Sequence, residues 1–225
     1  MFKTTIALVF LLFYLNSTNA QQFNFEFGKV ISSFDYKNSE GEKLSNLLGT
    51  TDNHLAIGFK TPLRSSNFYF LSSVFYNKYG AKGSDESVGN YYDWKVNYLG
   101  LKVGAGYEFL KTSSQVNFKN TNSEEAFTFY IQVEGGSEYL IQGIQTINNQ
   151  VYNLRGVEQF DKPLVFALGS LGITYYATKS LSVFFQYTGG KSFSLFKSGD
   201  DKEVLNFITH TCSLGVGINL PAFKR

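Results

Sequence analysis

The sequence predicts an all-β fold, an eight-stranded antiparallel up-and-down barrel that crosses a membrane. Three observations carry this expectation. The chain holds 23 Phe and 15 Tyr against 3 Pro and 1 Trp; aromatic side chains favour pleated surfaces, and few prolines suits ladders in which every N–H must donate. Segments of ten or more residues alternate apolar with polar side chains, longer than the five or six usual in globular sheets and suited to a tilted membrane strand. These segments number eight, and most connections after the odd-numbered ones are longer and more charged than those after the second and sixth. A mean hydropathy of −0.13 is compatible, because only every second residue of such a strand has to be apolar.

Residues 1–20 read as a secretory signal peptide. Lys3 is the only charge there, Ile6 to Leu15 is almost wholly apolar, and Asn16 to Ala20 is a small, polar exit, the order of an exported leader. The apolar run is shorter than the ~20 residues a spanning helix needs. The expected organisation is therefore a signal peptide over 1–20 and one barrel domain over 21–225. Twenty basic and 18 acidic residues give a formal net charge of +2, which lacks the basic footprint of a nucleic-acid binder. Cys212 is the only cysteine, so no intramolecular disulfide can form.

The first strand is expected over about 23–36, where Phe23, Phe25 and Phe27 alternate with Asn24, Glu26 and Gly28. The parity is lost near Lys29-Val30-Ile31, which reads as a bulge. The second covers about 54–61, with Leu55, Ile57 and Phe59 on one face; the third, about 68–79, is aromatic on both faces. The fourth, about 95–110, is the clearest: Leu99, Leu101, Val103, Ala105, Tyr107 and Phe109 against Gly100, Lys102, Gly104, Gly106 and Glu108. The fifth is expected over about 126–141, followed by the longest irregular stretch, 142–163. The sixth (about 164–177), a tight turn, the seventh (about 181–196), a charged tip at 197–203 and the eighth (about 204–220) complete the chain.

Alternation does not say which face is inward; residue size does. The polar faces of the fourth and eighth strands are rich in glycine, which suits the crowded interior of an eight-stranded barrel. The opposite faces carry uncharged Leu, Val, Ile, Phe and Tyr, as a lipid-facing belt must. The reverse arrangement, a soluble secreted barrel holding a small apolar ligand, is the alternative.

Val96 to Phe109 and Ser213 to Leu220 resemble strands of the small outer-membrane β-barrel proteins of Bacteroidetes-type bacteria, similar in architecture to OmpA/OmpX-like barrels. The resemblance implies a location in the cell outer membrane. The expected barrel has both termini on the periplasmic side and four connections facing outward. It implies no defined activity. The expected role is structural or interactive, with the place of a subunit in a larger outer-membrane assembly as one form of it. The expected partners are outer-membrane lipid and proteins met through the outer loops or the barrel wall, with no nucleic acid.

No catalytic, cofactor-binding or metal-binding set is assigned. Lys102, Glu108, Gln132, Glu134 and Gln186 fall on the inward face, where they either line a narrow polar path or form a charge network that fills the barrel. His210 and Cys212 share a face of the eighth strand. A Cys beside a His is a nucleophile pair, and outer-membrane lipid A deacylases are similar in placing a His-x-Ser pair near that edge; the other reading is an apolar Cys and an interfacial His. His54 is expected at the interface or in a loop. Asp85-Glu86 and Asp200-Asp201 are either a surface cation site or solvated loop charges.

Overall fold

A computed structural model describes residues 21–37, 47–63, 67–84, 89–114, 125–156, 160, 162–178, 180–194 and 204–220. The expected signal peptide, the charged tip at 197–203 and Asp85-Glu86 lie outside the described residues. The strands are β1 (Gln22–Lys37), β2 (Leu48–Pro62), β3 (Phe68–Ser84), β4 (Tyr91–Ser114), β5 (Glu125–Ile147), β6 (Gln150–Asn153), β7 (Leu164–Tyr176), β8 (Leu181–Ser194) and β9 (Val204–Asn219). All pair antiparallel in the order β4-β3-β2-β1-β9-β8-β7-β5, and β4 pairs with β5 to close the ring. The short β6 pairs with β5 alone, so eight strands form the barrel.

The ring has a measurable stagger. From Ile131 on β5, the rungs run through Leu171, Tyr187, Cys212 and Lys29 to Asn53 on β2. The other way they run through Tyr107 to Phe68, whose carbonyl accepts from the amide of Leu63, the residue that follows β2. The two paths reach β2 ten residues apart, at Asn53 and Leu63, a shear that tilts the strands into the usual range of about 35–45°. The rim that carries the start of β1 and the end of β9 is the terminal rim; the opposite one is the far rim.

On the half next to the terminal rim the wall is apolar outside. Leu101, Val103, Ile131, Val133 and Leu171 are each more than half exposed, Val133 at 70 %. Such an uncharged apolar outer face is what a barrel set in hydrocarbon requires. The inward positions between them are Glu26, Lys102, Glu134, Ser170, Gln186 and Ser213, all buried. The glycines sit where the size argument requires: a Cβ at Gly106 would lie 2.2 Å from the Tyr69 ring, and one at Gly215 would lie 2.1 Å from that of Phe184.

Towards the far rim the pattern inverts. Val30, Phe34, Tyr79, Trp94, Val96, Tyr98, Phe166, Leu205 and Phe207 point inward and are buried, while Lys82 and Lys95 are exposed on the outside. The 24-residue β4 runs roughly 80 Å, far more than a hydrocarbon belt about 25 Å tall requires even at this tilt. Beyond the lipid the barrel obeys the rule for water, apolar in and polar out.

This inversion corrects the bulge expected at Lys29-Val30-Ile31. The pairing of β1 with β2 and with β9 continues there without a slip; the polarity of each face changes, not the register. Irregularities occur instead in β2 between Gly49 and His54, in β5 at Ile141, opposite Asn97 and Tyr98, and in β4 between Phe109 and Lys111.

The stretch 142–163 is also corrected, because it is largely structured. β5 continues to Ile147, turns at Asn148 and Asn149 with φ of 47° and 69°, and returns as β6. Two consecutive left-handed residues match the twist of a tight hairpin, and asparagine tolerates that conformation. After β6, Leu154 and Phe160 tuck into the apolar core of the far half, the Leu154 amide donating to the Gly143 carbonyl at 2.9 Å.

Candidate functional site

The barrel interior has two storeys. The lower one, towards the terminal rim, holds a small recess of about 50 Å³, lined among others by Asn24, Glu26, Lys60, Lys102, Glu134 and Gln186. All five side chains expected to face inward do so. Lys102 Nζ lies 3.3 Å from Glu134 Oε2, both nearly fully buried. Glu108 pairs with Lys60 at 2.5 Å. Gln132 donates to the Tyr69 hydroxyl at 3.0 Å, and Gln186 accepts from the Tyr130 hydroxyl at 3.0 Å while donating to Thr188. A buried charge is tolerated when it is paired and hydrogen-bonded, so these residues form the filling network rather than an open path.

Several members of the network are not evident from the sequence pattern. His54 is buried inside the barrel, which corrects its expected place at the interface or in a loop: β2 begins at Leu48, so residue 54 lies well within the strand on its inner face. Its Nδ1 is 2.5 Å from Asn77 Oδ1, and its Nε2 is 3.4 Å from Glu26 Oε1, close enough for an ion pair without hydrogen-bond geometry. Ser213 donates to Glu26. Tyr79 donates to Glu138 Oε1 at 2.7 Å. Lys60 lies over the Tyr69 ring, 3.9 Å from its centroid.

The upper storey is an aromatic plug. Phe207, fully buried, packs edge-on against Phe34 at 4.5 Å and stacks on Tyr79 at 5.3 Å; Tyr98 meets it at 5.9 Å. Tyr79 also stacks on Phe166 at 6.4 Å. These rings, with Leu154 and Phe160 from the β5–β7 excursion, occupy the lumen above the polar network.

On the outer wall, His210 and Cys212 are both exposed on the same face of β9. The His210 Nδ1 is engaged by the Tyr187 hydroxyl at 2.6 Å, and no hydrogen bond links the imidazole to the Cys212 thiol. The pair therefore lacks the nucleophile–base contact that thiol activation needs. Among the described residues, no group of three or more His, Cys, Asp or Glu side chains is placed to hold a metal ion.

Neither a family model nor a curated protein matches the sequence. The chain is similar in overall shape to solved outer-membrane barrels. Neisserial surface protein A is 13% identical over 88% of this chain and 97% of that one, with a TM-score of 0.47. OprG from Pseudomonas aeruginosa is 14% identical over 91% and 98%, with a TM-score of 0.49. Ail of Yersinia pestis, in complex with the heparin analogue sucrose octasulfate, is 10% identical over 89% and 99%, with a TM-score of 0.40. This chain's own strand pairing and closure make it an eight-stranded antiparallel barrel.

Proposed function

We propose that this chain is an integral outer-membrane barrel with a structural or interaction role, its lumen closed and its working surface on the far rim. The observation that carries this reading is the plug. Phe207, Tyr79, Tyr98 and Phe166 fill the upper lumen, and the charges below them are tied to one another. A small barrel filled in this way offers no aqueous route. With the termini on the periplasmic side, the far rim faces outward, and β4 and β5 rise there with the β6 hairpin as a ridge. Leu48, Tyr91, Val151 and Tyr152 are 46–73 % exposed on that rim, a set of apolar and aromatic side chains suited to a protein contact, including one within a larger assembly.

The test has two arms. The folded barrel in liposomes should pass no small solute and no ion current. A photo-crosslinker placed at Tyr91, beside the hairpin on the same rim, should give a discrete protein adduct in intact cells that disappears when 148–153 is replaced by a short Gly-Ser turn. Steady conductance by the wild type, or recovery of the chain in a soluble fraction, would overturn the reading.

A further inference from the structure

Lys29 lies on the lipid-facing side of β1, between Phe27 (49 % exposed) and Ile31 (50 % exposed) on the same face. An ammonium group in an apolar belt is costly unless it finds a polar partner or reaches the headgroups. Lys29 Nζ donates to Asn53 Oδ1 at 2.7 Å. That neutral partner takes one of its three donors, and among the described residues no carboxylate pairs with it.

Two further donors stand beside it. Lys29 is paired in register with Cys212, and His210 is the next outward residue of β9. Gly189 is paired with His210, and Lys191 is the next outward residue of β8. Each such diagonal step spans about 7–8 Å. Passing from β1 to β9 to β8 along a rung descends towards the terminal rim, because of the shear. Each two-residue step towards the far rim compensates, so Lys29, His210 and Lys191 lie along a nearly level line. When the Tyr187 hydroxyl donates to Nδ1, the imidazole proton sits on Nε2 and makes a further donor. The line is bounded by exposed apolar side chains on both sides: Leu214 and Phe185 below, Ile208 and Phe193 above.

We propose that Lys29, His210 and Lys191 form a docking site for the phosphate of a phosphorylated lipid in the leaflet nearest the far rim, an inference that rests on the membrane reading above. The chemistry is a row of donors, with no carboxylate paired to it among the described residues, set at the upper edge of the apolar wall, where headgroups lie. A phosphate supplies the acceptors and the negative charge, and its acyl chains cover Leu214 and Phe185. Tyr187 holds the imidazole in place, and the exposed Lys29 ammonium exchanges its Asn53 partner on β2 for the phosphate. Cations near a membrane surface each contribute about fivefold to binding of anionic lipid.

The test uses the full barrel in nanodiscs of phosphatidylcholine containing a minor fraction of phosphatidic acid, with retained lipid read by native mass spectrometry. The wild type should retain one phosphatidic acid preferentially. Lys29→Gln should reduce that retention about fivefold, and Lys29→Gln with Lys191→Gln should abolish it. Lys95→Gln, on the opposite side of the barrel, should leave it unchanged. Equal retention by wild type and the double variant would overturn the proposal, as would an equal loss with Lys95→Gln. So would a dimer through this face that carries no lipid. Heat-modifiability on an unboiled gel checks that each variant is folded; its absence in the wild type would instead count against the membrane reading itself.

Discussion

Tyr79 donates its hydroxyl to Glu138 Oε1 at 2.7 Å, and the pair marks the level at which the interior changes from charged to aromatic. The Tyr79 ring belongs to the plug, stacked between Phe207 and Phe166, while its oxygen belongs to the network below. Glu138 is 1 % exposed, and its Oε2 accepts no hydrogen bond among the described residues. Tyr79→Phe keeps the ring and removes the donor, leaving Asn77 at 3.4 Å as the remaining contact to Oε1. The expected loss is about 1–3 kcal/mol, the cost of leaving a buried acceptor underserved. Urea unfolding in phospholipid vesicles would measure it, followed by the emission of Trp94, the chain's single tryptophan; no change in midpoint would show that the two storeys are not coupled through this bond.

Phe207 is the centre of the plug, touching Phe34, Tyr79 and Tyr98. Phe207→Ala opens a cavity among rings that the barrel wall prevents from collapsing. The expected cost is about 3–5 kcal/mol. Trp94 is 6.3 Å from Phe34, which itself packs on Phe207, so its emission should shift to the red in the folded variant. An unshifted spectrum with an unchanged unfolding midpoint would mean that the far half is not a packed core.

The pleat and the closure of the barrel were legible in the sequence, and the far half was not, for a physical reason. In lipid the outward face must be apolar, so Leu99 to Phe109 alternate cleanly with glycine and charge. Once β1 leaves the lipid, Val30 and Phe34 take the inward positions, and a reader who holds the parity fixed sees a slip at Lys29. The Asn148-Asn149 pair is a hairpin signal between two strand-like runs, hidden because the polar residues around it resemble a loop. Lys102, Glu108, Gln132, Glu134 and Gln186 were visible as inward residues on strand parity. Their partners Lys60, Tyr69 and Tyr130 come from other strands, and no periodicity within one strand encodes which rung faces which.

Glycine positions should divide sharply by face. Gly215 lies under the Phe184 ring, and an added Cβ would sit 2.1 Å from it; at Gly169, on the outer wall, an added Cβ would meet nothing within 4 Å. Gly215→Ala forces an aromatic ring to move in a filled lumen, at an expected cost of about 1–3 kcal/mol. Gly169→Ala adds only a methyl group facing lipid and should leave stability unchanged. The yield of the fast-migrating unboiled band would compare the two, and similar yields would argue that the inner glycines do not make room for the rings.

The lipid belt itself can be probed at a single position. Val133 is 70 % exposed on the outer face of β5, between Ile131 and Gly135, on the same rung as Ala105 and Gly169. Apolar outward residues lie on either side of this rung, which puts it near the middle of the hydrocarbon. Val133→Arg should therefore cost about 2–4 kcal/mol in phospholipid bilayers, the penalty for a guanidinium near the midplane. Lys82 lies on the outer face near the far rim, where the interior is already apolar. Lys82→Glu reverses a charge there and should cost little, because that stretch of wall faces water. Unfolding both variants in the same vesicles separates the cases: a large loss at residue 133 with none at residue 82 places the bilayer around the polar storey, and the reverse result would place it around the plug.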